Sequence, residues 1–421
     1  MTAAITDSQP PNRVPLLALY GTTLISVTGD AMAALAIPWY VLQTTGSAAD
    51  TGITAFFSIL PVVIGMFFGG TLVDRIGYKR VSVFADVASG ATMLMIPILH
   101  STVGLAFWQL LALVFLGNLL DAPGRSAKRS MLPEISDAAQ ISIERSSSLM
   151  SAISRATTMI GAPLAGLLVI AVGPTGVILI DAVTFFASAL GIQLLIPSKL
   201  VTPDKQIESK YLEDLKAGFQ YVRQDSLIVT LILVIMFTNM IDTAMSAVTL
   251  PFFTKSLFGI EEGAAYQGLL VGTFGASTLL GVLLYTAIGQ RFNRRRLFSF
   301  AFFQVGLRFI FYALWPNFWV ILVLTAVGGL LSGPINPIID AVMYRRVPQE
   351  MRARVFGFLS AGVLTAMPLG GLLAGYLLET VGLQLTFLIY AAVYLVSTGS
   401  LWLNPSLREV EQQETTAVNI A

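Results

Sequence analysis

Cysteine is absent from this 421-residue chain, and histidine occurs once, as His100. These two facts exclude disulfides, thiolate metal sites, a cysteine nucleophile and any cluster of histidine metal ligands. Charge is scarce too: Asp, Glu, Lys and Arg make up 12% of the residues and nearly cancel, to a net +1. That balance leaves no electrostatic footprint for nucleic acid. No G-x-x-x-x-G-K-[ST] occurs, so no P-loop is present to cradle the phosphates of ATP. No grouping of nucleophile, acid and base points to an enzyme, and no metal or cofactor is implied.

What the chain has instead is apolar length. Hydrophobic residues make up 55% of it, and a mean hydropathy of +0.77 places it in the membrane class. A bilayer core of roughly 30 Å takes about 20 helical residues. Twelve runs approach that length, at about 14–40, 50–73, 81–99, 104–121, 143–171, 176–196, 227–252, 265–289, 297–315, 318–343, 355–378 and 382–403. The sequence therefore predicts an all-α membrane protein of twelve transmembrane helices. The first run is interrupted by Asp30 and uncharged at its start, and is expected to be retained rather than cleaved as a signal peptide.

Basic residues set the orientation. With twelve spans, all but three of the 25 Lys and Arg fall on the side that holds both ends of the chain. The exceptions are Lys255 on the opposite side and Arg155 and Arg308 inside predicted helices. The positive-inside rule then makes both termini cytoplasmic, in a cytoplasmic, inner-membrane location.

The chain also repeats itself. "ISVTGDAMAALAIPWY" (25–40) matches "NMIDTAMSAVTLPFF" (239–253), "TLVDRIGYKR" (71–80) matches "AIGQRFNRRR" (287–296), and "GAPLAGLL" (161–168) matches "AMPLGGLL" (366–373). Six helices repeat once, giving two six-helix pseudo-repeats. The division reads as a half at 1–196, a polar linker at 197–226, a second half at 227–403 and a cytoplasmic tail at 404–421. Leu212, Leu215, Phe219 and Val222 recur at helical spacing in the linker and predict an amphipathic helix on the membrane surface. Two such halves are the plan of a secondary transporter.

Gly70, Leu72, Asp74, Arg75, Gly77, Lys79 and Arg80 stand in the pattern G-x-L-x-D-R-x-G-x-K-R. The stretch resembles the loop between helices 2 and 3 of the major facilitator superfamily. "ALAIPWYVLQTTGSA" (34–48), "DAPGRSAKRSMLPE" (121–134), "YLEDLKAGFQYV" (211–222) and "RRVPQEMRARVFG" (345–357) are similar to its macrolide efflux and enterobactin exporter branch. The resemblance implies that Gly70, Asp74, Arg75, Gly77, Lys79 and Arg80 form a conformational latch, in which the Asp74 carboxylate meets a helix end of the other half. The second copy departs from the pattern, with Gln290 and Asn293, so the latch is expected to be one-sided. The arginine that many multidrug antiporters carry in helix 4 is missing from "LAFWQLLALVFLGNLLD" (105–121), and "MIGAPLAGLL" (159–168) is a partial form of the antiporter motif of helix 5.

Charges inside a span cost about 2.5–3.5 kcal/mol each on insertion scales and normally face a cavity or a partner. Asp86, Asp121 and Asp340 lie near predicted cytoplasmic ends and Asp181 near a predicted outer end, where snorkelling or local pairing satisfies them. Asp30 and Asp242 are deeper. Asp30 lies on a small and polar stripe with Thr22, Ser26, Gly29 and Ala33, and Asp242 on one with Asn239, Thr243 and Ser246. Both stripes are expected to line a shared cavity. Burial raises a carboxyl pKa and a nearby arginine lowers it, so Asp30 and Asp242 are the expected proton or cation sites, with Arg155 as counter-ion of Asp30 and Arg308 standing alone. A fixed buried ion pair is the competing reading. In "GGLLSGPINPIID" (328–340), Pro334 and Pro337 free backbone carbonyls and predict a broken helix, with Ser332 and Asn336 facing substrate.

With no ATP site, energy has to come from an ion gradient. The sequence thus predicts a secondary active exporter of amphipathic small molecules (drug, macrolide-like compound or siderophore), acting as a monomer by proton antiport and alternating access in a lipid bilayer. A lysophospholipid or lipid-precursor flippase is the alternative. A non-transporting membrane sensor or scaffold is the alternative of another class.

Overall fold

The computed structural model describes residues 12–200 and 211–403; side chains at 66–72, 74–75, 211–215, 290, 353 and 401–403 lie outside the description. Every described element is helical. In chain order these are α1 Val14–Thr44, α2 Ala48–Ile76, α3 Tyr78–Thr102, α4 Phe107–Ser130, α5 Leu132–Ala138, α6 Ile143–Leu195, α7 Tyr211–Gln224, α8 Ser226–Ala244, α9 Leu250–Ile288, α10 Arg294–Leu314, α11 Phe318–Ser332, α12 Ile335–Arg346, α13 Arg352–Thr365, α14 Met367–Thr380 and α15 Gly382–Leu403.

Among the described residues, ten stretches are long and apolar enough to cross a membrane. Two of them are far too long for one crossing: Ile143–Leu195 has 53 residues and Ser226–Ile288 has 63. Each is divided by a glycine with φ 74°, Gly173 and Gly259, a conformation that side chains disfavour. Counted on either side of those glycines, the spans agree with the twelve predicted.

Prolines and glycines shape the later spans. α11 and α12 form one crossing interrupted at Gly333–Pro334, and α13 and α14 form another interrupted at Ala366. α8 passes into α9 through a π-helical turn, Met245–Thr249, where the Thr249 hydroxyl donates to the Ala244 carbonyl at 3.1 Å. The broken helix expected around 328–340 is thus present as a break in α11/α12.

The chain packs as two compact units. One gathers residues 1–31, 64–158 and 178–207, the other 32–63, 159–177 and 208–421. In the first, α3 lies along α4; in the second, α10 packs on α15, α9 on α11 and α8 on α14. Within the second unit the start of α2 also crosses α14 at backbone range: a Cβ on Gly52 would lie 2.6 Å from the Gly371 carbonyl oxygen. Small residues permit this approach, which supplies the van der Waals contact that holds helices together in lipid.

Aromatic residues divide between core and surface. Trp315 and Trp319 are exposed, as expected of an interfacial belt, but Trp39, Tyr40 and Phe253 are buried. Trp39 is held by its polar edge: the indole N–H donates to Gln267 Oε1 at 2.5 Å, so a tryptophan near the end of the first apolar run serves the core. α7 packs on α13: the Phe219 ring lies 5.5 Å from that of Phe358, and Val222 is buried. The linker residues 201–210 and the tail 404–421 lie outside the described residues.

Candidate functional site

Each unit holds a charged centre inside its spans. In the first unit the scaffold is α4, whose helix runs nine residues beyond the apolar stretch that ends at Asp121. That extension carries Arg125 and Lys128 on successive turns. Both read as loop residues by hydropathy, yet Lys128 is only 4% exposed.

Lys128 makes a complete set of contacts. Its ammonium group donates to Asp86 Oδ1 at 3.0 Å, Ser26 Oγ at 3.1 Å and Ser188 Oγ at 3.0 Å. Ser188 in turn donates to Asp86 Oδ2 at 2.7 Å. Three N–H donors meet three acceptors from α1, α3 and α6, which is the condition under which a buried ion pair is tolerated. Asp86 is fully buried, so pairing and not snorkelling satisfies it.

Arg125 serves two carboxylates. Its Nη1 lies 2.8 Å from Asp121 Oδ2 and 3.5 Å from Asp30 Oδ2. The cation at Asp30 is therefore Arg125, not Arg155, which is exposed elsewhere on α6. The expected pairing failed because the apolar run was taken as the helix, and a helix carried past the run by polar contacts has no hydropathy signal. Arg125 lies on α4 one turn past Asp121, beyond the 105–121 stretch, which itself holds no arginine.

The small-residue stripe of α1 also has a different role from the one expected. Thr22, Ser26, Gly29 and Ala33 are buried. A Cβ on Gly191 would lie 2.6 Å from Thr22 Cγ2, and one on Gly29 would collide with Thr184 Oγ1 and Asp181 Oδ1. The part of the stripe at Thr22 and Gly29 is a seam that lets α6 approach α1, not a cavity wall, and Ser26 is spent on Lys128. Asp30 lies at the edge of this seam, with 24% of its side chain exposed. Asp181, expected near an outer helix end, is instead packed beside Gly29 in the middle of α1 and is 1% exposed.

The second unit repeats the theme with other parts. Asp242, Asn239 and Ser246 form one solvent-reached face of α8 and its π turn, while Thr243 points into the core. π-turns of this kind are frequent at functional sites. Arg308 on α10 does not stand alone: its charge bears on Asp242, and its guanidinium lies over the rings of Phe274, Phe309 and Tyr312 at 5.4–5.7 Å. Gly328 on α11 makes room for it, since a Cβ there would come within 2.6 Å of Arg308 Nη1. Ser332 accepts from Gln304 Nε2 at 3.1 Å, and Asn336 is exposed.

Of the latch residues, Gly77 has φ 99° at the start of α3, Lys79 Nζ donates to the Gln193 carbonyl at 2.9 Å, and Arg80 is exposed. Gly70, Asp74 and Arg75 fall among positions whose side chains lie outside the described residues.

Helical spans broken by proline and glycine, with acid–base centres buried inside them, define a polytopic membrane protein of the secondary-transporter type. The fold is that of the nucleoside transporter NupG, with a TM-score of 0.77 over 92% of this chain and 98% of that one at 13% identity. The family model of transmembrane secretion effectors matches residues 11–420. The chain belongs to this family of the major facilitator superfamily. It is similar to the multidrug efflux pump Tap of Mycobacterium tuberculosis, 33% identical over 95% of this chain and 96% of that protein. It is also similar to macrolide efflux protein A of Streptococcus pyogenes, 21% identical over 87% and 89%.

Proposed function

We propose that the protein exports amphipathic small molecules across a cytoplasmic membrane by proton antiport and alternating access, as a monomer with both termini cytoplasmic. The observation that carries the reading is the match to the multidrug efflux pump Tap along 95% of the chain. The macrolide efflux relative supports the same substrate class.

The charged centres give the reading its chemistry. Asp30 and Asp242 are intramembrane carboxyls that solvent reaches, each acted on by an arginine. Such a group can take a proton from one side and release it on the other as its arginine is engaged or freed. One proton moved through a potential of 100 mV supplies about 2.3 kcal/mol. At about 1.4 kcal/mol per decade this sustains a roughly forty-fold substrate gradient. Asp74, Arg75, Lys79 and Arg80, with Gly70 and Gly77, act as the latch between states. Asn239, Ser332 and Asn336 contact the substrate, and the six-helix halves 1–196 and 227–403 are the bodies that move.

The test uses proteoliposomes with an imposed pH gradient and an internal pH dye, challenged with macrolides, lipophilic cations, siderophores and lysophospholipids. Substrate-dependent proton movement that disappears in Asp30→Asn or Asp242→Asn is the expected result. Substrate or lipid movement without proton flux would replace antiport with a uniporter or flippase. No movement of any compound would leave the scaffold reading.

A further inference from the structure

Among the described residues, Asp181 is the one carboxyl of the first centre without a cation within ion-pair distance. Arg125 is engaged by Asp121 and Asp30, and Lys128 by Asp86. The charged groups that bear on Asp181 are the carboxyls of Asp30 on α1 and Asp121 on α4, both of its own sign. Four carboxyls thus share two cations, in a place where Asp181 is 1% exposed. An isolated ionised carboxylate in such surroundings costs several kcal/mol or more.

The hydrogen bonds supply a second, independent argument. Among the described residues, the one contact available to the Asp181 carboxyl is Thr184 Oγ1, 3.5 Å from Oδ1. That hydroxyl has a single hydrogen, and it is already donated to the Asp181 backbone carbonyl at 2.7 Å. Toward the carboxyl the hydroxyl is left with a long, shared donor contact of 3.5 Å, while its oxygen lone pairs can still accept. Gly29, against the same carboxyl, presents no donor side chain. An ionised carboxyl would have no good donor here, whereas a protonated one can donate to Thr184.

We infer that Asp181 is a second proton-binding carboxyl of this centre, holding its proton in this conformation and surrendering it during transport. The ligand is the proton itself, which passes as H⁺ between Asp181 and the solvent-reached Asp30; protonation of one permits ionisation of the other. The transport role rests on the antiport reading above, but the bound proton does not.

The experiment has two readouts on the purified full-length chain. Infrared difference spectra at neutral pH, wild type minus Asp181→Asn, are expected to contain the carbonyl stretch of a protonated carboxylic acid. In Thr184→Val, which keeps the carboxyl and removes its acceptor, that band shifts. Proteoliposomes loaded with a pH dye then give the protons moved per erythromycin or tetraphenylphosphonium, and Asp181→Asn is expected to lower this ratio at least two-fold while both probes still bind. A band missing from the wild type, or one that Thr184→Val does not move, overturns the assignment and leaves antiport untouched. An unchanged proton-to-probe ratio overturns the exchange role. Loss of proton movement in the wild type itself would instead sink the antiport reading. Thr184→Val keeps the test decisive where Asp181→Asn does not fold.

Discussion

The Lys128–Asp86 pair makes a quantitative prediction about stability. Lys128→Met removes one charge and all three hydrogen bonds of the ammonium group, one of them to Asp86, leaving Ser188 as the carboxyl's donor at 2.7 Å. Breaking a buried pair from one side costs about 3–5 kcal/mol, because the remaining charge is stranded. Asp86→Asn strands Lys128 in the same way, although Ser26 and Ser188 still accept from it. The double variant Asp86→Asn/Lys128→Met strands neither charge and is expected to regain most of the loss. Denaturant unfolding in detergent micelles, followed by tryptophan fluorescence, measures all four proteins. The coupling energy of the cycle should reach about 2 kcal/mol or more; if the single losses simply add, within about 0.5 kcal/mol, the pair does not hold this unit together and the reasoning is refuted.

Four further perturbations test the second unit and the packing. Gly52→Val pushes a side chain into the Gly371 carbonyl and Gly375 Cα, at 2.6 and 3.0 Å, and should cost about 1–3 kcal/mol of stability. Gly21→Ala, with nothing within 4 Å of the added carbon, should leave the thermal midpoint unchanged or raise it, since alanine is favoured over glycine in a helix by about 0.5–1 kcal/mol. Trp39→Phe strands Gln267 Oε1 at about 1–3 kcal/mol, and Trp39→Phe/Gln267→Leu should recover part of it in the same melts. Glu379 accepts from the Ser47 hydroxyl at 2.5 Å and the Ala49 N–H at 3.0 Å, at the start of α2. Glu379→Ala should therefore cost about 0.5–2 kcal/mol, as for loss of an N-cap, and should speed amide exchange in the first turn of α2; unchanged exchange there would show the contact to be idle.

How much of this was legible depends on which physics each feature uses. The succession of spans followed from apolar run length, because desolvating a backbone in lipid forces continuous helices. The repeat around Asp30 and Asp242 was legible because both copies kept the acid and the following proline. Arg125 and Lys128 were not, because their place is set by tertiary contacts with Asp30, Asp86, Asp121 and Ser188, which lie 42 to 95 positions away or within one turn. The Thr22–Ala33 stripe was read as small and polar and assigned to a cavity, whereas at Thr22 and Gly29 its smallness serves a helix crossing. A signal did exist: Gly29 and Gly191, on different helices, are where α1 and α6 come together, and small residues on two apolar helices point to a close crossing as readily as to a cavity. The core place of Trp39 was likewise hidden, since position near a span end says nothing about a partner such as Gln267.

The two units invite a distinction between charges that hold a membrane protein together and charges that do its work. Lys128 and Asp86 are buried and fully hydrogen-bonded, so moving a proton on or off either would strand several partners at once. Asp30 shares a single arginine with Asp121, and its longer contact of 3.5 Å is the weaker of Arg125's two. Asp242 has no ion pair within 4 Å among the described residues; it feels Arg308, a cation held by three aromatic rings rather than by a carboxylate. Cation–π contact leaves the positive charge uncancelled, so Arg308 stays available to respond to Asp242. By this reasoning neutralising Asp30 or Asp242 should disturb transport more than stability, and neutralising Lys128 should do the reverse. Working charges in such a protein are those whose partners are too few.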